Sequence, residues 1–375
     1  MIAANIGKVF LSAYNEKHKS NYSAKEFFVE KYFRLFFDDG KYMQWVTNSP
    51  FVQGIKKGVL PTPEERKLKL DTLIEKITNN DADASIAIGF PSLDITATTS
   101  GQITNMKLPL KEEEVYLSWI GSGFGIGVQS GLSMFFDNKQ ILLDIYEGWE
   151  YYRGYLNKLP ELRGNQINTW NGQWIAHRYN VDSYDELKPL ASFDPFNTMK
   201  NGDLEIKTQS WLKVLIGIAR NYPNSTITAY VYSLGQTNIT VGFIPFDLPK
   251  IRTPFELYTK YFGTTNKSLL EDLFGSAIGF TRACQMGAIG VNALEPKGFR
   301  DSLEKGAMPK YNDDEEKRIN FNTYQIWLLS MLNNEELWYK SIEVATALNT
   351  YSSSDKNAKK TKSQEVTNLL KSVNR

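Results

Sequence analysis

Apolar residues in the first 80 positions recur at helical spacing, so this stretch is expected to be helical. In "SAKEFFVEKYFRLFF", Ser23 stands three residues before Glu26, the spacing at which each side chain caps the other's backbone N–H. "TPEERKLKLDTLIEKI" repeats the device with Thr62 and Glu65, and Pro63 takes the first helical position. Leu70, Leu73, Ile74 and Ile77 give that helix one apolar stripe. Between the two lies "KYMQWVTNSPFVQGIKKG", a connection rich in aromatics and turn formers, with Pro50 as a breaker.

The period then shortens. "ASIAIGF", "DITATTSGQITNMKL" and "EVYLSWIG" carry β-branched alternation with turn punctuation, and "SGQ" reads as a hairpin turn. "GIGVQSGLSMFF" continues as extended chain. A helix follows over 138–157, with Ile141, Leu142, Ile145, Trp149, Tyr152 and Leu156 on one side. Asp144 and Glu147 fall on another side, expected to be solvated. "QINTWNGQWIAHRY" reads as a short hairpin turning at Asn171-Gly172, which puts His177 on a strand as a packed or hydrogen-bonded histidine, with a general base as the alternative. "TITAYVYSLGQTNITVGFIPF" is the clearest hairpin in the chain.

Helical spacing returns after 250. "TPFELYTKYFG" opens with a cap and a proline, and the apolar 267–293 segment predicts an interior helix. The stretch from Asp313 to Tyr351 predicts one long helix or two joined near Asn333-Asn334. A polar tail ends in a short helix. The fold class expected is α+β: a helical N-terminal part, a central antiparallel sheet with hairpins, and a helical C-terminal third. The divisions expected are 1–80, 81–250, 251–350 and a tail over 351–375.

Composition narrows the chemistry. The 375 residues include 42% hydrophobic and 23% charged, enough to bury a sizeable core. Aromatics reach 13%, a surplus that either thickens the core or lines a stacking surface. The net charge of +1 supplies no global field for nucleic acid, although a local basic groove is compatible with it. One cysteine, Cys284, and two distant histidines, His18 and His177, exclude an internal disulfide and a cysteine-based zinc site. The opening lacks a basic n-region with a long apolar core, and no apolar run approaches 18 residues. Neither a signal peptide nor a membrane span is expected, and a cytoplasmic setting fits best.

"NGDLEIKTQSW" poses the main chemical question. As a strand it would align Asp203, Glu205 and Lys207 on one face, where two carboxylates hold Mg²⁺ and the lysine stabilises developing charge. With Asp194 as a further acid, this resembles the PD-(D/E)xK nucleases, and the resemblance implies a Mg²⁺-dependent nuclease. As a helix, the segment puts Leu204, Trp211, Leu212, Val214, Leu215, Ile216, Ile218 and Ala219 on one arc. Asp203 then caps, and Glu205 and Lys207 diverge by roughly 160°. The helix accounts for more positions and is the expectation.

Five glycines in "IGSGFGIGVQSG" match neither dinucleotide-fold nor P-loop spacing. They suit close backbone packing or a grip on a nucleic-acid backbone. "KEEEVYLSW" offers Glu113 and Glu114 as an exposed loop end or a carboxylate metal site. Tyr42 and Trp45, with Lys56 and Lys57, form the candidate nucleic-acid contact by stacking and phosphate pairing. The functional expectation is a non-catalytic, DNA- or RNA-associated subunit of a microbial intracellular assembly of the defence type. The alternatives are the nuclease and a protein-interaction scaffold. No cofactor is expected, and Mg²⁺ enters only with the nuclease.

Overall fold

The computed structural model describes residues 1–46, 49–55, 59–79, 86–90, 111–222, 226–233, 239–263, 273–275, 279–287, 289–306, 309–354 and 358–373. The fold is α+β, with a four-stranded antiparallel sheet in mid-chain and helices towards both ends. The chain packs as two units. The first comprises Met1–Arg252 and the described part of 276–293; the second comprises the described residues of 253–265, 273–275 and the chain from Leu294.

The first unit opens with α1 (Ile2–His18). A second helix, α2, runs through Ala24–Phe27, a π-helical Phe28–Tyr32 and Phe33–Phe36. The Ser23 capping box forms as expected: the Ser23 N–H donates to Glu26 at 2.8 Å, and the Glu26 N–H to Ser23 Oγ at 3.2 Å. Thr62 and Glu65 make the same pair at 2.8 and 3.2 Å ahead of α3 (Pro63–Asn79), which buries Leu70, Leu73 and Ile77.

The segment "EVYLSWIG" is helical, not a strand. It belongs to α4 (Glu112–Ser122), in which every residue from Val115 to Ser122 is buried. A helix buried all round has no polar face, so its 3.6-residue period vanishes from the sequence and its Val, Tyr, Trp and Ile imitate a strand. Residues 86–90 form turns rather than a strand, and the Ile86 carbonyl accepts the Trp119 indole N–H at 2.8 Å. The hairpin expected over 94–108 lies outside the described residues.

Helices α1 and α4 cross with backbones almost touching. A methyl group added to Gly121 would lie 1.8 Å from the Ala3 carbonyl oxygen, and one on Gly7 would lie 2.1 Å from that of Leu117. Only glycine permits this approach.

The sheet has the order β1 (Ile126–Val128), β2 (Leu132–Phe136), β5 (Thr226–Ser233), β6 (Ile239–Asp247). Met134 pairs with Ile126 on one side and Val231 on the other. The β5–β6 pair is the expected hairpin, with its register shifting between Val231 and Tyr232. Its connection, 234–238, lies outside the described residues. Beyond β6, Ile289 docks in parallel on Phe246.

Between β2 and β5 come the expected helix α5 (Lys139–Lys158), capped by the Asn138 side chain, and α6 (Ile167–Arg178). The hairpin expected over 166–179 is therefore corrected to a helix, and His177 sits on it. Asn171 and Gly172 imitate a turn, yet both serve packing: a methyl on Gly172 would lie 2.1 Å from the Gly127 carbonyl oxygen. A two-stranded ribbon follows, β3 (Phe196–Thr198) against β4 (Leu204–Ile206). The helix α7 starts at Trp211, capped by Ser210, and runs to Asn221.

The aromatic surplus is largely core. Trp149 has ring centroids of Phe124 at 4.4 Å, Phe36 at 4.8 Å, Tyr146 at 5.5 Å and Tyr32 at 6.0 Å around it.

Helix α8 (Leu248–Phe262) starts before the Thr253-Pro254 signal, with the Asp247 carboxylate accepting the Lys250 N–H at 3.3 Å, so Pro254 lies inside it. The expected interior helix over 267–293 is corrected for its described residues. They include β7 (Phe274–Gly275) and a short α9 (Phe280–Gln285).

In the second unit, β7 pairs with β8 (Glu295–Pro296), and α10 (Phe299–Glu304) stacks Phe299 on Tyr324 at 5.2 Å. Tyr324 belongs to α11 (Glu315–Leu332), which ends at Asn333 with φ 49°. The left-handed turn there divides the stretch into two helices, the second of the two forms expected. Then come α12 (Glu336–Ser353) and α13 (Lys359–Val373).

The glycine crossing makes a direct prediction. Gly121→Ala should destabilise by about 3 kcal/mol or more, because the clash is with backbone that cannot rotate away. Gly154→Ala, at an α5 position with nothing within 4 Å, should stabilise by about 0.5–1 kcal/mol. Urea denaturation of both variants tests the contrast.

Candidate functional site

The Asp203–Lys207 segment is extended, so the helix expected from Leu204 is corrected. Its backbone bonds go to distant chain: the Leu204 N–H to the Glu161 carbonyl at 2.9 Å, the Ile206 N–H to Gln166 Oε1 at 2.9 Å, and the Lys207 N–H to the Pro195 carbonyl at 2.7 Å. These partners outcompete a local helix.

The alternating side chains are nevertheless not assembled around a metal position. Asp203 pairs with Arg163 at 2.8 Å and accepts from Asn201 at 2.9 Å. Its hydrogen bond from Arg163 lowers its carboxyl pKa. Lys207 Nζ lies 2.7 Å from the Asp194 carboxylate, which this hydrogen bond lowers in turn. Asp203 and Asp194 thus have protein cations as partners, while Glu205 lies on β4, opposite Asn197 of β3. Among the described residues, no three His, Cys, Asp or Glu side chains converge in a way that could hold a metal ion. Glu113 and Glu114 sit in the exposed first turn of α4, where the helix dipole favours acids.

The candidate nucleic-acid contact divides. Tyr42 is buried, with its ring 5.3 Å from Phe37, so it offers no face for stacking; burial raises its hydroxyl pKa to about 12. Trp45 is 50% exposed. Lys56 and Lys57 lie outside the described residues. The glycine-rich stretch is spent on close packing of α1, α4 and α6. His177 stacks on Phe193 at 4.5 Å, and its Nε2 lies 2.8 Å from the Pro189 carbonyl. Burial lowers its pKa, which favours the neutral ring of a packed histidine.

The most heavily charged interior cluster was missed at the sequence level. Asp144 is buried, not solvated. One carboxylate oxygen lies 3.2 Å from Arg178 Nε and accepts from Gln140 at 2.9 Å. The other accepts the Tyr179 hydroxyl at 2.8 Å, which lies 3.4 Å from that of Tyr222. Arg178 also reaches Glu147 at 3.4 Å and donates to the Tyr184 hydroxyl. Burial works against the Arg178 charge, but Asp144 and Glu147 outweigh it and raise its pKa. Burial raises Glu147, opposed by Arg178. Burial and the adjacent Asp144 hold Tyr179 protonated. Every charge here has an opposite partner, and the cluster ties α5 to α6. The signal available in the sequence was the i, i+4 pair Gln140 and Asp144 within an apolar helix.

The second unit carries the opposite anomaly. Helix α12 buries no residue, yet it contains Leu337, Trp338, Tyr339, Ile342, Val344, Leu348 and Tyr351. Trp338 stacks on Tyr261 at 4.4 Å near one end. Tyr351 donates to Glu365 of α13 near the other, where Lys362 also bonds Ser354 at 2.9 Å. Between them Ile342 and Val344 are 48% and 59% exposed, and Leu369 and Leu370 of α13 are about half exposed. Among the described residues, no helix is long and apolar enough to cross a membrane.

The buried cluster makes the second prediction. Asp144→Ala removes the buried ion-pair partner of Arg178 and the acceptor of Tyr179 and should destabilise by about 3 kcal/mol, read from the urea midpoint. Asp203→Ala, at an exposed pair, should leave the urea midpoint nearly unchanged. No family model, curated protein or solved structure matches this chain.

Proposed function

We propose that this chain is a subunit of a larger assembly and that α12 is its docking element. One observation carries the reading: an 18-residue helix, apolar on more than one side, that buries none of its residues. A helix of that character is stable when enclosed. Leu328, Met331 and Leu332 at the end of α11 are exposed as well, adding apolar surface to the same unit. Contiguous exposed apolar surface on this scale marks a protein contact. This corresponds to the scaffold alternative among the sequence expectations.

Purification of the tagged chain from its native cells tests the reading. The expected particle is heavier than the 42.8 kDa chain, with fixed stoichiometry, and Ile342→Asp combined with Val344→Asp reduces it to the single-chain mass. A wild-type chain that elutes alone at its own mass overturns the reading.

Nucleic-acid association is the second reading, favoured by the half-exposed Trp45. A labelled single-stranded oligonucleotide should bind in a salt-dependent manner. Trp45→Ala should weaken binding at least about fivefold, the lower end of a base–aromatic stack. Anisotropy that stays flat at low salt removes this reading.

A further inference from the structure

Resting on the docking role of α12, we infer that its occupant is a second copy of this chain, packed hairpin on hairpin with α12 of each copy against α13 of the other. The two helices form an antiparallel pair, in which Ser354 meets Lys362 and Tyr351 meets Glu365. That register carries Leu369 and Leu370 back towards the level of Val344, so both arms expose apolar side chains over the same stretch.

The arms also differ in charge. Helix α12 carries Glu336 and Glu343 against Lys340, a net charge of −1. Helix α13 carries Lys359, Lys360, Lys362 and Lys371 against Glu365, a net charge of +3. Glu343, Lys359, Lys360 and Lys371 are all exposed. A two-fold contact lays each acidic arm on a basic arm, so the hairpin is its own complement and the contact closes at two copies.

The area is that of a small interface. On α12, Leu337, Val344 and Tyr351 fall within about 40° of one another, whereas Tyr339 and Ile342 lie on the opposite side. With Leu369 and Leu370 of α13, the first three leave on the order of 300–400 Å² of apolar surface per copy, a contact at the low end of specific interfaces.

Sedimentation velocity on the purified full-length chain tests this. Its mass should move from one chain to two as concentration rises from about 1 to 100 μM, the range of a modest interface. Val344→Asp and Leu370→Asp, each with an unchanged far-ultraviolet spectrum, should each weaken pairing at least about tenfold by placing a charge in an apolar contact. Raising salt from about 50 to 500 mM should weaken it several-fold, because the arms lose their mutual attraction. Lys359→Glu with Lys360→Glu should reproduce that loss at low salt. A chain that stays single throughout the range overturns the inference, as does a dimer indifferent to both apolar variants. If the chain stays single when pure but forms a heavier particle from native cells, the docking role stands and the second copy is wrong.

Discussion

The first unit depends on one buried amide. Asn171 is fully enclosed in α6, and its side chain closes three contacts at once. Its N–H groups donate to the carbonyls of Gly123 at 2.7 Å and Gly125 at 2.9 Å, and its oxygen accepts the Trp149 indole N–H at 3.1 Å. An indole only donates and a carbonyl only accepts, so the orientation of the amide is fixed by its partners. The turn that links α4 to the sheet would otherwise bury two unpaired carbonyls, each costing about 1–3 kcal/mol. The same amide anchors Trp149 at the centre of the aromatic core. One residue on, Gly172 lets β1 approach α6 closely enough for that reach.

This arrangement explains what could and could not be read from the sequence. Amphipathic elements with one wet face were legible: the capped α3, the helix α5 and the β5–β6 hairpin each keep their period. Their caps are local chemistry, and local chemistry survives in a short window. Helices α4 and α6 were misread because they lie between other layers. With no solvent side, α4 shows no alternation between polar and apolar that a helix wheel could detect. In α6, Asn171-Gly172 has the composition of a turn but the role of a joint, and only the positions of Gly123, Gly125 and Gly127 reveal it.

The Asp203–Lys207 segment fails for a different reason. Its apolar residues fit a helical arc, and α7 does begin a few residues later. The extended state wins through bonds to Glu161, Pro195 and Gln166, which are up to about forty residues away. The backbone is extended over Leu204–Ile206, as the strand reading required. What no spacing rule could supply was the identity of the partners of Asp203 and Lys207: Arg163 and Asp194 occupy them. Asp144 shows the converse, an acid placed on a nominally polar arc that the fold covers with α6.

The two units therefore use the same residue types to different ends. In the first, most Trp, Tyr and Phe are enclosed, and the indole N–H groups of Trp119, Trp149, Trp170 and Trp174 each donate to an oxygen. In the second, α12 has comparable apolar content but is held mainly at its ends, by Trp338 on Tyr261 and by Tyr351 on α13. Burying the half-exposed side chains on the facing sides of two hairpins would gain roughly 7–15 kcal/mol by side-chain transfer, against about 4–15 kcal/mol lost on association. The surplus is small and of the size that charge pairing or a few lost contacts can reverse. An exposed helix of this kind makes sense as a contact that forms when the chain is concentrated or held beside its partner.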